Sequence, residues 1–100
     1  MPVYEINYDL IHKTPEQHAE ISNRILDSIE SIANSYYNKF HTTTYFIKTN
    51  LCEEDIFNQL RPHITKDDKM SIAKISSYIG QNIPNESNIF TTILTRPYFK

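Results

Sequence analysis

From Val3 to Leu10 the chain alternates, with Tyr4, Ile6, Tyr8 and Leu10 on one side and Val3, Glu5, Asn7 and Asp9 on the other. A period of two places successive side chains on opposite faces, so this segment predicts a half-buried strand. The spacing then becomes helical. Ile21, Ile25, Ile29 and Ile32, with Leu26 and Ala33 alongside, form one apolar stripe, and Glu16, Glu20, Arg24, Asp27 and Glu30 occupy the other faces. The start is marked by Thr14 as N-cap, Pro15 at the first helical position and Gln17 at the third position of a capping box. These signals predict a helix over about 15–33, ended by Asn34 in the left-handed conformation.

Residues 36–49 are rich in aromatic and β-branched side chains, which suit a pleated, partly buried surface, and their length fits two short strands joined by a turn near Phe40 to Thr43. A second helix follows. Leu51 and Ile56 are placed as a hydrophobic staple around Cys52, and Glu53, Glu54 and Asp55 bring negative charge to the end where the helix dipole favours it. Ile56, Phe57 and Leu60 form its inward side, and Pro62 predicts an end near Leu60 or Arg61 because proline cannot donate the next backbone bond. Thr65 to Asp68 reads as a polar turn, and Lys69 to Ile75 as a strand with Met70 and Ile72 opposed to Ser71, Ala73 and Ile75. Residues 76–84 read as a loop; in 86–95 the pairs Ile89 with Ile93 and Phe90 with Leu94 favour a short helix capped by Asn85, although Thr91 to Ile93 also suit a strand.

Length and composition narrow the class. One hundred residues make one domain, with a core over about 2–76 and a C-terminal extension over about 77–100. A hydrophobic content of 39% and a charged content of 22% describe a soluble globule, with no apolar run long enough to span a membrane and no basic-then-apolar leader, so the expected location is cytoplasmic. The single Cys52 forbids an intramolecular disulfide. With Gly80 as the only glycine, P-loop and Rossmann phosphate fingerprints are excluded, since both use several glycines to bring backbone against phosphate. A net charge of -2 and a pI near 6.0 oppose a strongly electrostatic nucleic-acid binder while leaving room for a local basic patch.

The element order strand, helix, strand, strand, helix, strand predicts an α+β, ferredoxin-like βαββαβ sandwich: two helices on one face of an antiparallel sheet, the other face open. Tyr4, Ile6 and Tyr8 then lie beneath the helices, and Glu5, Asn7 and Asp9 on the open face. Large apolar patches are uncommon on monomers, so a sheet face carrying aromatic or aliphatic side chains predicts a homodimer.

Four stretches carry a family resemblance: Val-Tyr-Glu-Ile-Asn-Tyr-Asp-Leu from Val3, Thr-Thr-Tyr-Phe-Ile-Lys-Thr-Asn-Leu from Thr43, Asp-Ile-Phe-Asn-Gln-Leu-Arg-Pro-His-Ile from Asp55, and Asp-Asp-Lys-Met-Ser-Ile-Ala-Lys-Ile from Asp67. Over about residues 2–76 the chain resembles the small bacterial and phage proteins described as SinR-like. Those are similar to VapD-type ribonucleases and to the smaller subunit of the CRISPR spacer-integration complex. The resemblance implies a ferredoxin-like, typically dimeric protein, and its motifs are short and mostly structural.

In the nuclease-like members an aspartate closing the first strand, in a Tyr-Asp-hydrophobic setting, is the proposed metal ligand, and Asp9 between Tyr8 and Leu10 matches that position. Two copies meeting across a dimer would let two carboxylates share one Mg²⁺, an ion that needs few protein ligands. The alternative is that Asp9 ends a strand and hydrogen-bonds the turn before Thr14. His12 lies close enough in sequence to serve as general acid or base beside Asp9, against the plainer reading of an exposed loop histidine. His12, His18, His41 and His63 lack the paired spacing of zinc sites. Lys39, His41 and Lys48 flank aromatic residues including Tyr37, a mixture that can contact phosphate and stack on bases, although aromatics in a strand more commonly build core or dimer contacts. Arg61, His63, Lys66 and Lys69 form a second basic group, diluted by Asp67 and Asp68, which reads as a solvated turn rather than a phosphate site.

Three functions remain compatible with these residues. The preferred one is a non-catalytic dimeric binding protein of a bacterial or phage defence-related system, engaging nucleic acid or a protein partner and requiring no cofactor. The second is a Mg²⁺-dependent endonuclease, on RNA or DNA, using Asp9. The third is a phage-encoded inhibitor of host defence acting by protein contact.

Overall fold

The computed structural model describes residues 2–33 and 37–76. Along these the order is strand β1 (Val3–Asp9), helix α1 (Pro15–Ala33), strands β2 (Tyr37–His41) and β3 (Thr44–Lys48), helix α2 (Glu53–Leu60), a 3-10 turn (Arg61–His63) and strand β4 (Lys69–Ile75). The expected Asn34 cap and the readings of 77–100 lie outside the described residues.

The strands form one antiparallel sheet in the order β2-β3-β1-β4. Both helical connections skip a strand: α1 carries the chain from β1 past β3 to β2, and α2 carries it from β3 past β1 to β4. The result is an α+β domain whose helices share one face of the sheet. Tyr4, Ile6 and Tyr8 of β1, Tyr45 and Ile47 of β3, Ile25, Ile29 and Ala33 of α1, and Ile56 and Leu60 of α2 form a single buried cluster. The register explains the selection. Ile6 lies opposite Tyr45 on one side and Ile72 on the other, and directly opposed residues of an antiparallel ladder project to the same face.

Local chemistry fixes the entries to the helices. Gln17 N donates to Thr14 Oγ1 (3.1 Å) and Thr14 N to Gln17 Oε1 (2.9 Å), closing the capping box at the expected position. α2 starts at Cys52 without a side-chain cap, leaving Leu51, the acidic first turn and buried Ile56 to define its entry. Pro62 does end the α-helix, yet the chain continues into the 3-10 turn, where a missing N–H costs nothing in the first positions. Ser28 Oγ and His63 Nε2, 2.7 Å apart, hold that turn against α1.

The sheet's other face is less open than the alternation alone implies. Phe46 lies opposite Glu5, and Val3 opposite Lys48 and Ile75, all on the side away from the helices, yet Val3 is 0% and Phe46 4% exposed. Among the described residues of this face, Asp9, Lys69, Ser71 and Ala73 are exposed.

Candidate functional site: the Asp9 end of the sheet

Asp9 is the last residue of β1 and lies opposite Lys69, the first of β4. Two residues back on the same face, Asn7 lies opposite Ser71 on β4 and Thr44 on β3, and Thr44 Oγ1 donates to Asn7 Oδ1 at 2.5 Å. Asn7, Asp9, Lys69 and Ser71, with Tyr8 and Met70, line an open cleft of about 190 Å³. Asp9 and Lys69 are exposed, and neither forms an ion pair or side-chain hydrogen bond with a described residue. A carboxylate, an ammonium, an amide and a hydroxyl thus share one face of the sheet here, beside a cleft whose exposed lining is mostly apolar.

Asp9 does not tie down the turn before Thr14. That role belongs to Asp68. Its carboxylate, with the side chain 0% exposed, accepts from Ile11 N (2.8 Å), Lys13 Nζ (2.9 Å), Thr65 N (2.8 Å) and Thr65 Oγ1 (3.0 Å). Burial alone would raise its pKa, but the hydrogen bonds from Ile11, Thr65 and Lys13 outweigh that effect and hold the carboxyl well below the ordinary carboxylate range. By sequence alone Asp68 reads only as a charge on a solvated turn. Thr65 and Asp68 do have turn-closing spacing, but the partners Ile11 and Lys13 come from the other end of the chain and leave no local signal.

His12 is exposed and adopts a positive φ of 56° in the connection between β1 and α1, where histidine is among the residues that tolerate the left-handed region. No hydrogen bond joins it to Asp9 among the described residues, and it does not line the Asp9 cleft. His18 is half-buried with Nδ1 3.4 Å from Ser22 Oγ, and Ser22 in turn accepts from the Tyr8 hydroxyl at 3.1 Å.

Lys39 and Lys48 do not share a face of the sheet. Tyr37 and Lys39 lie opposite Ile47 and Tyr45, on the helix side of the sheet, whereas Lys48 lies opposite Val3 on the other side. Lys39 is exposed; Tyr37 is half-buried, its ring centroid 6.2 Å from that of Tyr45 and its hydroxyl donating to Glu30 Oε1 at 3.0 Å. His41 pairs with Thr44 beyond an irregularity in the ladder after Lys39. Burial, with lesser contributions from Tyr8, Tyr37 and Glu30, pushes the Tyr45 phenol up to about 12, so it remains neutral in the core.

Among the described residues no three His, Cys, Asp or Glu side chains gather into a metal-binding group. No described helix is long and apolar enough to cross a membrane. The chain matches no protein-family model and no curated protein sequence.

Proposed function

We propose that this protein is a non-catalytic, dimeric binding protein with a ferredoxin-like fold, of the SinR-like kind found in bacterial and phage defence-related systems, and that it engages nucleic acid or a protein partner through the Asp9 end of its sheet. The fold assignment is supported by the split crossovers and by the order β2-β3-β1-β4. The observation that carries the binding role is the pairing of exposed Asp9 with exposed Lys69 across an open cleft that also presents Asn7 and Ser71. Opposite charges beside neutral hydrogen-bonding groups favour orientation and discrimination of a polar surface.

The same exposed carboxylate gives the endonuclease reading its footing, because Asp9 has no described partner to displace before binding a metal. One carboxylate per chain would need a second from another copy to hold Mg²⁺, and the Lys69 ammonium across the ladder opposes a cation there. The two readings separate in a cleavage assay with Mg²⁺ or Mn²⁺ on single- and double-stranded RNA and DNA. The binding role predicts no cleavage, with Asp9→Asn within about 0.5 kcal/mol of wild-type stability because the side chain is exposed. Cleavage abolished both by chelator and by Asp9→Asn would establish the enzyme instead.

A further inference from the structure

At the same end of the molecule, but on the α2 side, Phe57, Arg61, Ile64, Thr65, Lys66 and Asp68 line a cavity of about 420 Å³, within the size range of small-ligand sites. Phe57 and Ile64 are half-buried and supply apolar surface to its lining. Arg61 follows the last residue of α2 and its backbone N–H donates to the Phe57 carbonyl, so both residues lie at the same end of the helix. Lys66 arrives from the following turn. Arg61 and Lys66 are both exposed, and neither forms a salt bridge with a described residue.

In the sequence Asp67 and Asp68 dilute these cations and speak against a phosphate site, but the fold commits the Asp68 carboxylate to other partners and leaves Asp67 off the cavity lining. The Asp68 carboxylate is enclosed, its charge opposed by Lys13 and its oxygens accepting from Ile11, Lys13 and Thr65. Its charge is offset by Lys13, which leaves Arg61 and Lys66 without a carboxylate partner among the described residues. Asp67 is exposed and does not line the cavity. Two cations and an aromatic ring lining one cavity offer a place for a phosphate and a place for a planar ring.

We propose that this cavity binds a nucleotide, with the phosphate held between Arg61 and Lys66 and the base lying over Phe57. The guanidinium can engage phosphate oxygens in a bidentate manner while lysine acts as a point charge, and bases stack on aromatic faces irrespective of sequence. The nucleotide is either a free mononucleotide or one unit of a single strand, since both present the same phosphate and ring. The site is independent of Asp9 and stands whether or not the cleft there binds a partner.

The test is a titration of the full chain in low-salt buffer with AMP, adenosine, inorganic phosphate and a short single-stranded oligonucleotide, followed by amide NMR. AMP or the oligonucleotide should shift Phe57, Arg61, Ile64, Thr65 and Lys66 together, with adenosine and phosphate alone roughly tenfold weaker or worse. Combined Arg61→Gln and Lys66→Gln, both exposed positions, should weaken binding roughly tenfold or more while circular dichroism remains that of the wild type. Tighter binding of AMP than of the oligonucleotide identifies a free nucleotide as the ligand; the reverse, with a salt slope of about -1.4 for two phosphate contacts, identifies a single strand. The proposal is overturned if none of the four probes shifts these amides, if the shifts persist at full affinity in the double variant, or if phosphate alone binds as well as AMP.

Discussion

Asp9 and Asp68 are both carboxylates at strand ends, and the fold uses them in opposite ways. Asp9 is left in solvent opposite Lys69, whereas Asp68 joins the connection after β1 to the turn before β4. Asp68→Asn removes the charge that Lys13, itself only 13% exposed, is placed to meet, and should cost about 2–3 kcal/mol in denaturant unfolding. The pH dependence follows from the sign of the shift. The folded pKa is depressed, so the stabilisation is fully present above the unfolded carboxylate value of about 4 and declines as pH falls below it. Between about pH 5 and pH 3, the melting temperature of wild type should therefore fall further than that of Asp68→Asn. Equal falls would show that Asp68 does not carry this linkage.

At the scale of elements, α1 depends on a reciprocal cap formed wholly within its own sequence. Thr14→Ala removes the oxygen that Gln17 N uses and should destabilise the domain by about 1 kcal/mol, read from chemical denaturation; an unchanged midpoint would mean that water replaces the cap without cost. An element of this kind is legible in the amino-acid sequence. The Thr14-Pro15-Gln17 signal, the isoleucine stripe and the alternation in β1 and β4 are local patterns, and α1 at Pro15–Ala33 and β4 at Lys69–Ile75 lie where those patterns predict them. The hairpin is equally legible, with its turn at Thr42 and Thr43. Contacts between distant segments are not. The enclosure of Asp68 by Ile11 and Lys13, the separation of Lys39 from Lys48 by the sheet, and the cavity beneath Arg61 all depend on register and packing. Asp9 stands out from its place at the strand end, but its opposition to Lys69 emerges only from the β1–β4 register.

For the whole molecule, the two faces of the sheet set the terms of assembly. The helix face is closed by the core. On the other, Val3 and Phe46 are already enclosed within one chain, so a second copy is not needed to shield them, and the proposed dimer would meet instead at the exposed positions Asp9, Lys69, Ser71 and Ala73. A dimer formed there would join two clefts into one continuous recognition surface, and it is also the arrangement that would bring two Asp9 carboxylates together. Dimerisation is thus common to the binding and nuclease readings, which the cleavage assay separates. Size-exclusion chromatography with light scattering at micromolar concentration tests this directly: a mass about twice 11.8 kDa is expected, and a single species of 11.8 kDa would contradict the dimer.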